Sequence, residues 1–189
     1  MAAGLLLLSS LAACERAVGV PNVRTFVGYV ENSDAFIALS QVDGEVMAYV
    51  CNGRDMATWL RGSSGDGAVE LSSGEAHLRA AYDGSGFSGT FTSAHGGSHA
   101  FRARPAAQGA GFFRAAQTVA GLAYVGGWIV LGDGQQRGAV KAGGLLIEGA
   151  RVPLDPGRPV VALPGGGALT ARPVEDVLAA PATVAAGTP

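Results

Sequence analysis

Two cysteines, three histidines and a thin scatter of carboxylates are the groups in this 189-residue chain that could do chemistry. The histidines are His77, His95 and His99. With strands over 76–82 and 98–104, His77 faces away from the apolar side, His95 lies in a turn and His99 points toward the apolar face. They do not converge on the three or four tetrahedral ligands that zinc requires, so no metal site is expected. A hydrolase triad needs a nucleophile, a base and an orienting group in contact. No Gly-x-Ser-x-Gly elbow occurs, and Gly84-Ser85-Gly86 and Gly86-Phe87-Ser88-Gly89 read as turn and strand glycines. Asp66, Glu70, Asp83 and Asp133 sit in loops or on strand surfaces and form no acid–base pair of the glycosidase kind. The run Pro164-Gly165-Gly166-Gly167 does not join a strand to a helix, so it is no phosphate-cradling loop. No catalytic residue and no cofactor are assigned. Cys51 has no neighbouring His or Lys in sequence to lower its pKa and reads as a small buried hydrophobe at a strand end.

The other cysteine has a more specific setting. Gly4 to Ala13 is an apolar stretch centred on Leu5-Leu6-Leu7-Leu8, too short for the ~20 residues of a membrane span and of the right length for a signal-peptide core. It ends in Leu11-Ala12-Ala13-Cys14, which resembles the bacterial lipobox. That resemblance implies a diacylglyceryl group on the Cys14 sulfur and cleavage of the bond before it. Small side chains at Ala12 and Ala13 give a peptidase access to the backbone, and only a thiol can form the thioether. Several acyl chains, at about 0.8 kcal/mol per buried methylene, anchor stably where one would be marginal. Met1-Ala2-Ala3-Gly4 lacks the usual positive charge of a signal peptide, which points to a true start codon further upstream. The expected address is the extracytoplasmic face of the cell membrane.

Composition sets the elements that must position any site. Charged residues make up 15% and hydrophobic residues 48%, and the thirty glycines fall between short apolar runs. That is the pattern of many tight turns between strands. The net charge is −2 and the cations are dispersed, so nucleic acid is not an expected partner. Lys141 is the lone lysine among thirteen basic residues, which together with abundant Ala and Gly reads as a high-GC coding bias.

After a leader (1–13) and a lipid-anchored linker (14–22), residues 23–115 read as a β-meander forming a small barrel or sandwich. Its clearest hairpin joins 35–41 to 45–51 through Asp43-Gly44. A two-residue turn pairs Gln41 with Val46, Leu39 with Ala48 and Ile37 with Val50. Phe36, Ala38, Met47, Tyr49 and Cys51 take the opposite face. Both faces are apolar, so the hairpin must be central or covered. The segment Asp55 to Arg61 is expected to supply that cover as a two-turn helix capped by Asp55. Further strands are expected over 68–72, 76–82, 86–93 and 98–104, with Tyr82 opposite Phe87, Leu78 opposite Phe91, and Phe91 opposite Phe101 across a turn at His95-Gly96-Gly97. Gly111 to Ala115 would add a last strand. A smaller β-hairpin segment spans 116–172, with strands over 122–131 and 136–141, and Leu145 to Val152 and Val160 to Leu163 as additions. Residues 173–189 read as a mobile Ala/Pro/Thr tail with one helical turn near Val174.

The runs DAFIAL, GEVMAYVCNG, TWLRG, GFSGTFT, HAFRARPA, GFFRA and GGWIVLGDGQQRGAV resemble a group of exported actinobacterial proteins and lipoproteins without a defined biochemical role. The match covers roughly half of the chain. It implies a β-rich exported protein and brings no activity or site with it.

An eight-stranded barrel is just wide enough to pack solid or to hold one small ligand. The expected function is therefore that of a membrane-anchored binding module, with Tyr49, Trp59, Phe91 and Phe101 as candidate contacts for a small apolar ligand. An accessory protein for an envelope transporter or cell-wall enzyme is the alternative, and an enzyme the third reading. The address has a direct test. A Cys14→Ser variant expressed in the native host should move from the membrane fraction to the soluble one, and retention in the membrane would refute the anchor.

Overall fold

A computed structural model describes residues 24–65, 67–147, 153–164 and 166–180. The expected leader and linker, with Cys14, lie outside these residues, as do Asp66, Gly165, residues 148–152 and residues 181–189.

Short runs rich in apolar residues from 24 to 105 fold as eight antiparallel strands: Arg24–Val30 (β1), Phe36–Val42 (β2), Glu45–Cys51 (β3), Ala57–Gly65 (β4), Ala68–Ser73 (β5), Ala76–Tyr82 (β6), Phe87–Thr92 (β7) and Ser98–Pro105 (β8). Each pairs with the next, and β1 also pairs with β8, so the sheet closes into a barrel. Closure removes both free edges. The chain is mainly β, as its composition predicts. The β2–β3 register matches expectation, with Gln41 opposite Val46, Leu39 opposite Ala48 and Ile37 opposite Val50. Asp43 and Gly44 both take positive φ, 49° and 85°, as the two-residue turn that suits twisted strands demands.

Three expectations need correction. Asp55 to Arg61 is not a helix. The Asn52 side chain accepts from the amides of Arg54, Asp55 and Met56, at 2.9, 3.1 and 3.0 Å, and tightens a turn, after which Ala57 starts strand β4. The same run had enough apolar residues for either element, and pairing with β3 and β5 decides for the strand. Second, Phe91 faces His99 rather than Phe101. The turn falls one residue earlier, with Ser93 and Gly97 bonded across Ala94-His95-Gly96. That slip moves the partner by two places and keeps both phenylalanines on the inner face. Tyr82 does face Phe87, and Leu78 faces Phe91.

The third correction concerns the cover. Gly111–Val119 (β9) leaves the meander and starts a second sheet with Leu122–Val130 (β10), Gln136–Ala142 (β11), Leu145–Leu146 (β12) and, beyond Val160–Ala162 (β13) and Ala168–Thr170 (β14), Arg172–Pro173 (β15). The order is β12-β11-β10-β9-β15, while β13 and β14 form a separate hairpin. The tail is anchored at its start: β15 pairs with β9, and Val174–Ala179 (α1) follows at once with Val174 fully buried. Glu175 accepts a 2.9 Å hydrogen bond from the Thr25 hydroxyl on β1.

The second sheet is apolar on both faces. One face, with Phe112, Ile129, Leu131 and Ala139, packs on the outside of the barrel against Val27, Phe36, Ala38, Met47, Tyr49 and Ala57. The other, with Phe113, Ala115, Trp128, Val130 and Val140, is covered by Leu154, Val161, Leu163 and Leu169. Gly127 sits where barrel and sheet touch: a Cβ there would lie 2.6 Å from the Trp59 ring and 2.7 Å from that of Tyr49. Gly127→Ala should therefore cost about 1–3 kcal/mol by overpacking, read as a lower urea midpoint. Gly132→Ala, whose Cβ would meet nothing closer than 3.7 Å, should leave the midpoint nearly unchanged.

Candidate functional site

The barrel wall divides the four aromatic residues singled out in the sequence. Phe91 and Phe101 point inward and are fully buried among Phe26, Leu39, Leu60, Leu71, Leu78 and Phe87. Phe26 and Phe87 meet edge to face at 4.9 Å. This interior is a packed core. At one mouth, a cavity of about 320 Å³ is lined by Phe26, Gln41, Ser64, Tyr82 and Phe87 with Arg24. Arg24 reaches over it, its guanidinium 5.9 Å from the Tyr82 ring centroid and 3.2 Å from the hydroxyl it donates to.

Tyr49 and Trp59 point outward, because they occupy the alternate positions of β3 and β4 and lie directly opposite each other. Their rings are 4.4 Å apart, and Trp59 stacks on Phe112 of the second sheet at 5.4 Å. Tyr49 is fully buried and Trp59 partly so. The two are thus the seam between barrel and sheet, not the wall of a lumen. The apolar pattern could not separate inside from outside, since β2 and β3 are apolar on both faces.

The Tyr49 hydroxyl is buried without a well-formed hydrogen bond among the described residues. Burial, and then the nearby Cys51 thiol, holds its pKa well above the usual tyrosine value. Cys51 ends β3 and is itself buried. Burial pushes its thiol up, against the lowering effects of Tyr49, of the Gly53 amide and of Arg137 and Lys141. A protonated, inaccessible thiol is inert, which suits a packing role.

A groove of about 490 Å³ opens where the barrel loops meet the β10–β11 hairpin, lined by residues that include Asp34, Asn52, Arg54, Gln136, Arg137 and Pro153. Its frame is tied from both sides. Arg54 pairs with Asp34 at 2.5 Å, an exposed pair of small energetic worth. Arg137 crosses the junction: its guanidinium lies 4.4 Å over the Phe36 ring, and its Nε donates to the Asp34 carbonyl at 3.2 Å. The Gln136 amide clamps the chain beyond the hairpin, donating to the Leu154 carbonyl at 2.9 Å and accepting from its amide at 2.8 Å. The groove therefore presents guanidinium donors and carbonyl acceptors on a fixed floor. Sequence reading missed it because its residues come from loops far apart in the chain. The signal available was the polar cluster Asn52-Gly53-Arg54-Asp55 after an apolar strand.

His77 is exposed on β6, His95 lies in the β7–β8 turn and His99 is half-buried on β8. Among the described residues no three His, Cys, Asp or Glu side chains are grouped to hold a metal. No helix among them is long and apolar enough to cross a membrane. Comparison with family models, curated proteins and solved structures finds no match.

The orphaned hydroxyl gives a test of the seam. Tyr49→Phe should be neutral or stabilising by about 1 kcal/mol, since it removes an unsatisfied buried group. Tyr49→Ala should cost about 3–5 kcal/mol. A clear loss of stability in Tyr49→Phe, measured by urea denaturation, would mean that the hydroxyl has a partner.

Proposed function

We propose that the chain is an exported, lipid-anchored binding module, without a catalytic role, that takes a small polar ligand in the groove between barrel and second sheet. The observation that carries this reading is the packed barrel interior, with Phe91 and Phe101 fully buried. An apolar cargo would meet only the cavity of about 320 Å³ at the mouth that Arg24 overhangs, so binding moves to the outside. The groove's volume of about 490 Å³ falls within the range of about 300–1,000 Å³ common for ligand sites. Arg137 and Arg54 supply its charge, and Asp34 limits the net excess.

The accessory-protein reading draws on a different feature. Leu122 and Leu145 are 43% and 76% exposed. They end neighbouring turns of the second sheet, where a Cβ on Gly143 would lie 3.6 Å from Leu122. A protein partner in the envelope would cover them.

Native mass spectrometry of the Cys14→Ser chain, exported from an actinobacterial host, separates the two. A mass excess that disappears on denaturation, and that Arg137→Glu abolishes, supports the groove. A bare mass, with crosslinks to an envelope protein lost in Leu122→Asp/Leu145→Asp, supports the partner reading instead.

A further inference from the structure

The strongest unexplained charge in the molecule lies at the other side of the seam. Arg114 on β9 is half-buried, with its guanidinium 5.3 Å over the Trp59 ring. It donates no hydrogen bond and meets no carboxylate among the described residues. Burial lowers its pKa, and neighbouring Arg61 lowers it further. Arg61 lies two residues after Trp59 on β4, so both side chains leave the same face of the barrel. Arg172 on β15 is directly opposite Arg114 and therefore shares its face of the second sheet. That face is the one toward the barrel, as the burial of Phe112 and Val174 in the shared core requires.

Register and face thus place three arginines from three strands along one seam, and none of the three guanidiniums has a protein acceptor among the described residues. The acidic groups around them are engaged or apart. Glu70 is held by two nitrogens of Arg79, at 3.0 and 2.7 Å. Glu175 accepts from Thr25. Glu45, diagonal to Arg61 across β3–β4, and Asp176 on α1 make no ion pair with any of the three. Each guanidinium carries five donors in a planar fork suited to oxyanions. Like charges held together in this way call for a counterion of more than one charge. A carboxylate supplies one; a phosphate monoester supplies about 1.5–2 at neutral pH and three acceptor oxygens.

We propose that Arg61, Arg114 and Arg172 form a site for a phosphate group, with Trp59 as the platform that fixes Arg114. The site is distinct from the groove at Arg137 and does not depend on it. The phosphate can belong to a soluble molecule or to a lipid headgroup, and the experiment distinguishes these sources.

The Cys14→Ser chain is titrated with inorganic phosphate at ionic strength held constant with sodium chloride. Trp59 and Trp128 are the two tryptophans of the chain, and Trp128 is buried, so Trp59 is the reporter. The expected result is a saturable fluorescence change with a midpoint of about 1 mM or below. Arg114→Gln and, independently, the exposed-site variant Arg61→Gln should raise the midpoint at least about tenfold, which is 1.4 kcal/mol. Both should keep the far-UV spectrum of the parent. Co-sedimentation with phosphatidylglycerol vesicles but not phosphatidylcholine vesicles, lost in Arg114→Gln, would assign the phosphate to a lipid surface. Phosphate titration without vesicle binding would assign it to a soluble ligand. No saturable change beyond that given by chloride, or an unchanged midpoint in a folded Arg114→Gln chain, overturns the proposal.

Discussion

The constraint on which the structure depends is the two-faced apolar character of β2 and β3. A closed barrel buries only the inner face of its strands. Ile37, Leu39, Ala48 and Val50 are satisfied by closure, but Phe36, Ala38, Met47 and Tyr49 are left on the outside. At about 25 cal/mol per Å² of apolar surface, a row of such side chains in water would cost several kcal/mol. Something must cover them. The cover is itself a sheet with two apolar faces, so it in turn needs the β13–β14 hairpin on its far side. Each layer is required by the one before it, and β15 and α1 return to the seam where the first layer was incomplete.

Much of this was legible from local chemistry. Asp43-Gly44 fixed a hairpin whose register follows from turn length alone. Period-two alternation gave the inner face of β6 and β7, and the slip at Ala94-His95-Gly96 preserved it because a shift of two places does not change the face. The failures come from non-local decisions. The run DMATWLR satisfies a two-turn helix and a strand equally well, and only the pairing of β4 with both β3 and β5 chooses between them. The need for cover was read correctly, but its source was sought in the nearest segment, whereas Gly111–Val119 and Leu122–Val130 supply it from a distant part of the chain.

The candidate site was less legible than the fold, for the same reason. Aromatic residues at alternating positions on a barrel strand look alike whether they fill the lumen or the outer seam. Tyr49 and Trp59 were grouped with Phe91 and Phe101, although the barrel wall separates them. What marks the outer pair is a glycine on another sheet: Gly127, which the two rings approach so closely that a methyl group has no room. Nothing in the local pattern of either segment links the two.

The seam also explains where chemistry concentrates. Layers of this kind are sealed by apolar contact at their centre and reach water at their margins. Side chains that begin inside the contact and end outside it must be long and amphipathic. Arginine meets that demand at both margins: Arg137 lies over Phe36 on one side and Arg114 over Trp59 on the other. The two have been treated differently by their surroundings. Arg137 hands two of its nitrogens to backbone carbonyls and so works as a clasp. Arg114 stacks in the same manner yet has another arginine beside it and no acceptor among the described residues. A packing role needs only the stem and plane of such a side chain, and it gains nothing from a second like charge nearby. The asymmetry between the two margins is therefore the feature that stability does not account for, and it places the surplus of positive charge at Arg114.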